Sequence, residues 1–185
     1  ILLPKNTGFS MRRQKHIFFP GDRNGEQAVP LQSCVGSGAE ELPLWQRLHC
    51  FVYRKRTDVK VLITSRLPYT LTAARAGRQV PPLLDDFAQM VGITARVVEG
   101  EETDPRFPYR VLKGLKRRNA ALIPEWGGLC AASSFDDALA VVQVLEKGCR
   151  AYIDSAFLGG GFRINPVEAW LMRMVYKYKY SKMTI

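Results

Sequence analysis

Histidine is nearly absent: His16 and His49 are all that the 185 residues contain, and that shortage excludes more chemistry than any other feature of the chain. A catalytic zinc site needs about three His or carboxylate side chains converging on one point, with a further position left open. A His-activated nucleophile needs a histidine within reach, and Ser10, Ser65 and Cys130 have none at an identifiable triad spacing. No apolar run reaches the roughly 18 residues that a membrane-spanning helix requires, so no span is expected. The start at Ile1 lacks the charged-then-apolar layout of a secretory signal. It also lacks an initiator Met, which fits a position inside a longer chain. Cysteine is scarce and scattered. Cys34, Cys50, Cys130 and Cys149 form no Cys-x-x-Cys pair, and in a chain without a signal they are expected to be reduced, mostly buried thiols of a cytoplasmic protein. Low-complexity tracts and internal repeats are missing too.

What remains is an ordinary globular composition with an excess of positive charge. At 46% hydrophobic residues the chain can bury one substantial core, so residues 1–185 are expected to form a single domain. The net charge of +10 comes with basic clusters at Arg54-Lys55-Arg56, at Lys113 to Arg118, and at Lys177, Lys179 and Lys182. Each cluster sits at or near the end of a helical pattern, where cations offset the negative end of the helix dipole. With no nucleic-acid-binding motif beside them, no specific nucleic-acid partner is expected. Asp85-Asp86 and Asp136-Asp137 fall at helix starts, and nothing pairs them as an acid and a base.

Strand and helix patterns alternate along the chain. Val59–Thr64 reads as a buried strand and Thr94–Val98 as a more exposed one, and His16 falls in a further strand pattern, Lys15–Phe19. Ala120–Ala132 reads as a hairpin turning at Trp126-Gly127-Gly128-Leu129. Helices with one-sided apolar faces are expected over Leu42–Arg56, Pro82–Val91, Phe107–Arg118 and Phe135–Ile153. Ser134 and Asp137 mark the start of the last of these. Asn165, Pro166 and Glu168 form a capping-box pattern ahead of a further helix, whose stripe is Val167, Trp170, Leu171, Met174, Val175 and Tyr178. Gly159-Gly160-Gly161 joins these two helices. Without the Lys-Ser/Thr of a P-loop it reads as a connector. The pattern predicts a three-layer α/β/α sandwich with a largely antiparallel central sheet.

Four stretches, in order, carry a family resemblance. Leu42–Asp58 places His49, Tyr53, Arg56 and Asp58 in the register E-x-x-x-H-x-x-x-Y-x-x-R-x-D-V. Leu62–Tyr69 stands where V-x-H-x-H-x-P-Y is usual. Pro81–Gly92 is similar to x-P-x-L-x-D-x-A-x-x-x-G, and Ala120–Glu146 to x-x-L-L-x-N-H-G followed by E-A and a later E. Together they resemble the class II aldolase/adducin family, which includes L-fuculose-phosphate aldolases and L-ribulose-5-phosphate 4-epimerases. The resemblance implies a class II aldolase-like fold, a ring-shaped homo-oligomer, commonly a tetramer, and zinc-dependent chemistry on sugar phosphates. It also implies a first helix, which is missing ahead of Thr7, and a phosphate-holding turn that maps weakly onto Thr7-Gly8.

The same register shows what has changed. The positions of the metal-binding histidines carry Thr64, Arg66 and Trp126, and that of the catalytic carboxylate carries Trp45. An indole offers no donor to Zn²⁺, and a permanently charged guanidinium repels it. No metal and no cofactor are expected. The leading expectation is a binding or scaffold member of the fold, resembling the adducin head or the metal-free portion of a larger assembly. The alternative is an aldehyde-lyase or epimerase of carbohydrate metabolism with a rebuilt site. The old cleft, bordered by Trp45, Thr64, Arg66 and Trp126, is expected either to hold a small anion or sugar phosphate at Arg66, or to be filled by its tryptophans, leaving Arg66 in a structural ion pair. His49, beside the stripe Leu44, Leu48 and Val52, is expected in a hydrogen-bonded packing role, and His16 looks structural. The last helix carries more aromatic and apolar surface, through Trp170, Met172, Met174, Tyr176, Tyr178 and Tyr180, than one core-facing stripe needs, which points to an oligomer interface.

Overall fold

Three strands that are apolar on both faces decide the architecture. In the structure, a computed structural model that describes residues 2–4 and 44–180, these are β2 (Val61–Ser65), β4 (Ala120–Ile123) and β5 (Gly127–Ala132). Successive side chains of a strand point to opposite faces. Val61, Ile63, Ala120, Leu122, Cys130 and Ala132 accordingly join one buried cluster, while Leu62, Ala121, Ile123, Leu129 and Ala131 join another. Both faces must therefore be covered. With β1 (Leu2–Pro4) and β3 (Arg96–Val97), the strands form a five-stranded sheet in the order β1-β2-β5-β4-β3. Every pairing is antiparallel except β3 with β4, so the sheet is mixed but largely antiparallel.

On one face lie α2 (Pro68–Arg75), α3 (Asp85–Met90) and α5 (Phe135–Phe157), and on the other α1 (Leu44–Lys55) and α4 (Phe107–Gly114). The expected α/β/α sandwich is formed. Burying side chains such as Leu62, Ile63, Phe87 and Leu145 stabilises it by about 1.5–3 kcal/mol each. Ser134 caps α5 by accepting a hydrogen bond from the Asp137 amide at 3.2 Å. Gly148 lets α5 approach α3, because a Cβ there would run into the Phe87 ring.

Several boundaries differ from the sequence reading. The β4–β5 turn is Pro124 to Trp126, with the Trp126 amide donating to the Ile123 carbonyl at 3.0 Å; Gly127 and Gly128 open β5 instead of making the turn. The expected Thr94–Val98 strand shrinks to two residues, and α4 ends at Gly114 ahead of a left-handed Arg117 (φ 60°). Cys130 and Cys149 are free, buried thiols, and burial pushes the Cys149 thiol up to about 12. Cys50, in contrast, is disulfide-bonded. The expectation of reduced thiols is therefore not met at Cys50. The strand pattern around His16 and the Thr7-Gly8 turn lie outside the described residues.

The last helix, α6 (Pro166–Tyr180), is capped as expected, with Asn165 Oδ1 accepting from the Val167 amide at 2.9 Å. Its orientation is the larger departure. Ala169 and Arg173 face inward, and Arg173 donates to the carbonyls of Gln89 (3.3 Å) and Met90 (3.1 Å) and to Asn119 Oδ1 (2.9 Å). These carbonyls end α3, where a cation meets the negative end of the dipole. The whole apolar stripe from Val167 to Tyr178 is left facing outward.

Helix α2 escapes the sequence reading because its cap comes from far along the chain. No side chain of Leu67, its N-cap residue, can accept a hydrogen bond. The Glu146 carboxylate of α5 does this instead, accepting from the Tyr69 amide (3.0 Å), the Thr70 amide (2.8 Å) and the Thr70 hydroxyl (2.7 Å). Charge-assisted bonds at a helix N-terminus are among the stronger ones. Glu146→Ala is expected to lower the unfolding free energy by about 2–3 kcal/mol, measured by chemical denaturation, with Glu146→Gln recovering part of the loss.

Candidate functional site

Helix α1 presents Trp45, His49 and Tyr53 at four-residue intervals, one above another on its sheet-facing side. The rings meet edge to face, Trp45 and His49 with centroids 5.8 Å apart and His49 and Tyr53 6.5 Å apart. Tyr53 fixes the helix to the sheet by accepting a hydrogen bond from the Leu62 amide at 3.0 Å, and burial raises its phenol above the usual range. His49 has no solvent exposure. Its Nε2 lies 3.3 Å from the Thr64 hydroxyl of β2, while Nδ1 and the neighbouring Ser65 hydroxyl have no hydrogen-bond partner among the described residues. Desolvation drives the His49 pKa down to about 3. The imidazole is thus neutral at physiological pH, in the packing position that the sequence suggested.

Arg66 follows directly on β2 and is exposed. One guanidinium nitrogen donates to the Glu125 carbonyl at 3.2 Å, and Arg66 has no carboxylate partner among the described residues. Trp126 ends the β4–β5 turn and meets Phe107 edge to face at 6.2 Å. The turn lies hard against the end of β2, since Gly127 has φ 89° and a Cβ on it would strike the Ser65 carbonyl. Trp45 and Trp126 are half-buried and pack on the same core cluster. The fold thus gathers Trp45, His49 and Thr64 into one contact group and sets Arg66 beside the turn that carries Trp126.

These side chains do not fit the divalent ion that the resemblance implies. Thr64 is engaged with His49, the indoles pack as hydrocarbon, and Arg66 is cationic. Among the described residues no group of three or more His, Cys, Asp or Glu comes together elsewhere.

Two hollows were not anticipated. A groove of about 410 Å³ runs between α1 and the segment before α4, bordered by Arg47, Phe51, Arg54, Asp104, Phe107 and Trp126. A smaller cavity of about 180 Å³ is bordered by Arg56, Asp58, Asn119, Ser133, Asp137 and Lys177. There Arg56 grips Asp58 through two bonds of 2.7 and 2.6 Å and donates to the Leu115 carbonyl at 2.9 Å. The guanidinium holds the Asp58 carboxyl below its usual range. Charges of both signs neutralise one another in this cavity, so the R-x-D pair of the sequence motif acts as a brace. Only the fold brings Lys177 to it.

The profile of the class II aldolase and adducin N-terminal domain matches residues 38–153, more than half of the chain. The chain belongs to this family. Solved structures agree on the fold. An L-fuculose 1-phosphate aldolase is 21% identical with a TM-score of 0.66, over 84% of this chain and 66% of that one. The L-fuculose 1-phosphate aldolase from Glaciozyma antarctica PI12 is 16% identical, with a TM-score of 0.55 over 75% and 60%. The L-fuculose-1-phosphate aldolase from Thermus thermophilus is 17% identical, with a TM-score of 0.53 over 74% and 72%. The chain therefore spans about two thirds or less of the length of the first two. No curated protein sequence matches it significantly.

The buried histidine makes stability depend on pH. Its folded pKa of about 3 lies below the ordinary 6.5, so the stabilisation is complete above about pH 6.5 and is lost progressively as pH falls towards 3. Between pH 7 and 5 the loss is expected to be of order 2 kcal/mol. Urea titrations should show this slope in the wild type and a clearly shallower one in His49→Leu.

Proposed function

We propose that this member of the class II aldolase family is a binding or scaffold unit without metal-dependent catalysis, with residues 1–185 acting as one aldolase-like domain. The observation that supports the proposal lies at the positions the resemblance assigns to the site: Trp45 packs edge to face on the buried, neutral His49, and Trp126 packs on Phe107 and the same core cluster. A Lewis-acid mechanism needs ligands held open to substrate. The positions assigned to such ligands carry instead a hydroxyl bonded to an imidazole, a guanidinium and an indole. Purified without a chelating tag, the protein is expected to gain no thermal stability from Zn²⁺, Mn²⁺ or Co²⁺. A bound ion stabilises the native state by mass action, so a clear rise in Tm at stoichiometric Zn²⁺ would overturn the proposal in favour of a sugar-phosphate lyase or epimerase with a rebuilt site.

Arg66 supports a ligand class for this unit. It puts a positive charge at the rim of the former site, has a planar fork of donors, and spends one of them on a backbone carbonyl. We propose a small phosphate- or carboxylate-bearing anion as its ligand. At an exposed cation the affinity is weak, in the order of millimolar. Titration with phosphate, citrate or a sugar phosphate should give thermal shifts in the wild type that are lost in Arg66→Leu; equal shifts in both proteins would rule the site out.

A further inference from the structure

At the end of α5 the chain makes its most exposed apolar feature. Phe157, Leu158 and Phe162 are 84%, 87% and 99% exposed, more than any other large hydrophobic side chain among the described residues. They stand on one loop, in which Gly159 and Gly160 turn the backbone with φ of 92° and 104°, a region that few side chains tolerate. A Cβ on either glycine would meet nothing within 4 Å. The base of the loop, in contrast, is fixed to the body. The Ile164 amide donates to the Pro82 carbonyl at 2.9 Å, and Gly161 lies so close to Leu83 that a Cβ would crowd it. An apolar tip thus projects from a held base.

Two properties suit this tip to a lipid surface. Its amides are already satisfied, since those of Leu158 (3.0 Å) and Gly160 (2.8 Å) donate to the Ser155 carbonyl and that of Gly159 (3.4 Å) to Ala156. Backbone that enters a membrane interface has to arrive with its hydrogen bonds made internally. The charge of the segment is also of one sign. Asp154 is paired with Arg150 at 3.3 Å, and from Ser155 to Val167 there is no acidic residue, Arg163 being the one charged side chain. Arg163 is exposed and forms no ion pair among the described residues, in a chain with a net charge of +10. An anionic leaflet attracts such a chain, and apolar side chains then fix it by entering the headgroup boundary.

A protein partner fits the loop less well. At about 150–250 Å² for each phenylalanine, the tip falls short of the ~800 Å² that each side of a standard protein interface buries. A projecting tip also needs a matching socket in a protein, whereas a fluid lipid interface admits it as it stands.

We infer that the α5–α6 loop is a membrane-docking site, inserting Phe157, Leu158 and Phe162 into the headgroup boundary of an anionic lipid surface, with Arg163 at a lipid headgroup. The inference is independent of the metal and anion readings. The full chain should pellet with vesicles of phosphatidylcholine and phosphatidylserine, and less so at raised salt. Phe157→Ser and Phe162→Ser should each weaken binding about ten-fold. Arg163→Gln should weaken it on the mixed vesicles and leave binding to phosphatidylcholine alone unchanged. Because these side chains touch little of the protein, the circular dichroism and Tm of each variant should match the wild type. As a second measurement, the emission of Phe162→Trp should shift to the blue on the mixed vesicles and be quenched by brominated lipid, above the background of the three native tryptophans. Wild-type protein left in the supernatant, loop variants that bind as the wild type does, or an emission that does not move would each overturn the inference. So would a drop in mass by light scattering in the serine variants, the mark of a second copy seated on the loop.

Discussion

The pairing of β2 with β5 is the constraint on which the rest of this structure depends. It places Ser65 opposite Gly128 and Thr64 opposite Leu129, and it brings the β4–β5 turn so close to the end of β2 that Gly127 has no room for a side chain. Thr64, Arg66 and Trp126 all take their positions from this contact. The alternation of apolar residues along the two strands then assigns α1 and α4 to one face and α2, α3 and α5 to the other. A residue added between the strands would reverse every side chain beyond it, separating Thr64 from His49 and Cys130 from its core.

On the sheet face of α1 and α4, Trp45 packs edge to face on His49 and Trp126 on Phe107. Close-packed interiors do not keep large voids, and both indoles lie against the buried cluster of that face. A buried imidazole beside a threonine hydroxyl, with two aromatic edges against it, has an environment in which carrying a proton is costly. It holds α1 to β2 and resists charging.

What the sequence made legible follows from where its signals are local. The apolar runs of β2, β4 and β5, the Ser134 cap of α5 and the Asn165 cap of α6 are short-range patterns, and each formed where it was expected. The parts that were not legible depend on distant residues. The inward face of α6 could not be read from its composition, because Arg173, which would ordinarily be assigned to solvent, finds three oxygen acceptors on α3 and Asn119. The turn of the hairpin was misplaced because glycine usually marks the bend itself, whereas Gly127 and Gly128 are needed where other chain segments press on β5. The disulfide at Cys50 leaves no trace in the cysteine spacing.

The Glu146 carboxylate at the start of α2 bears on how the chain reaches its native state. An eight-residue helix without a local cap is too short to persist alone in water. Its cap arrives only when α5, some seventy residues later, has docked across the sheet. The first turn of α2 therefore belongs with the late, non-local contacts of folding. A nascent chain still lacking α5 leaves the apolar positions Ile63, Ala73 and Ala74 uncovered, so the exposure of this sheet face ends only when α5 has been made and docked.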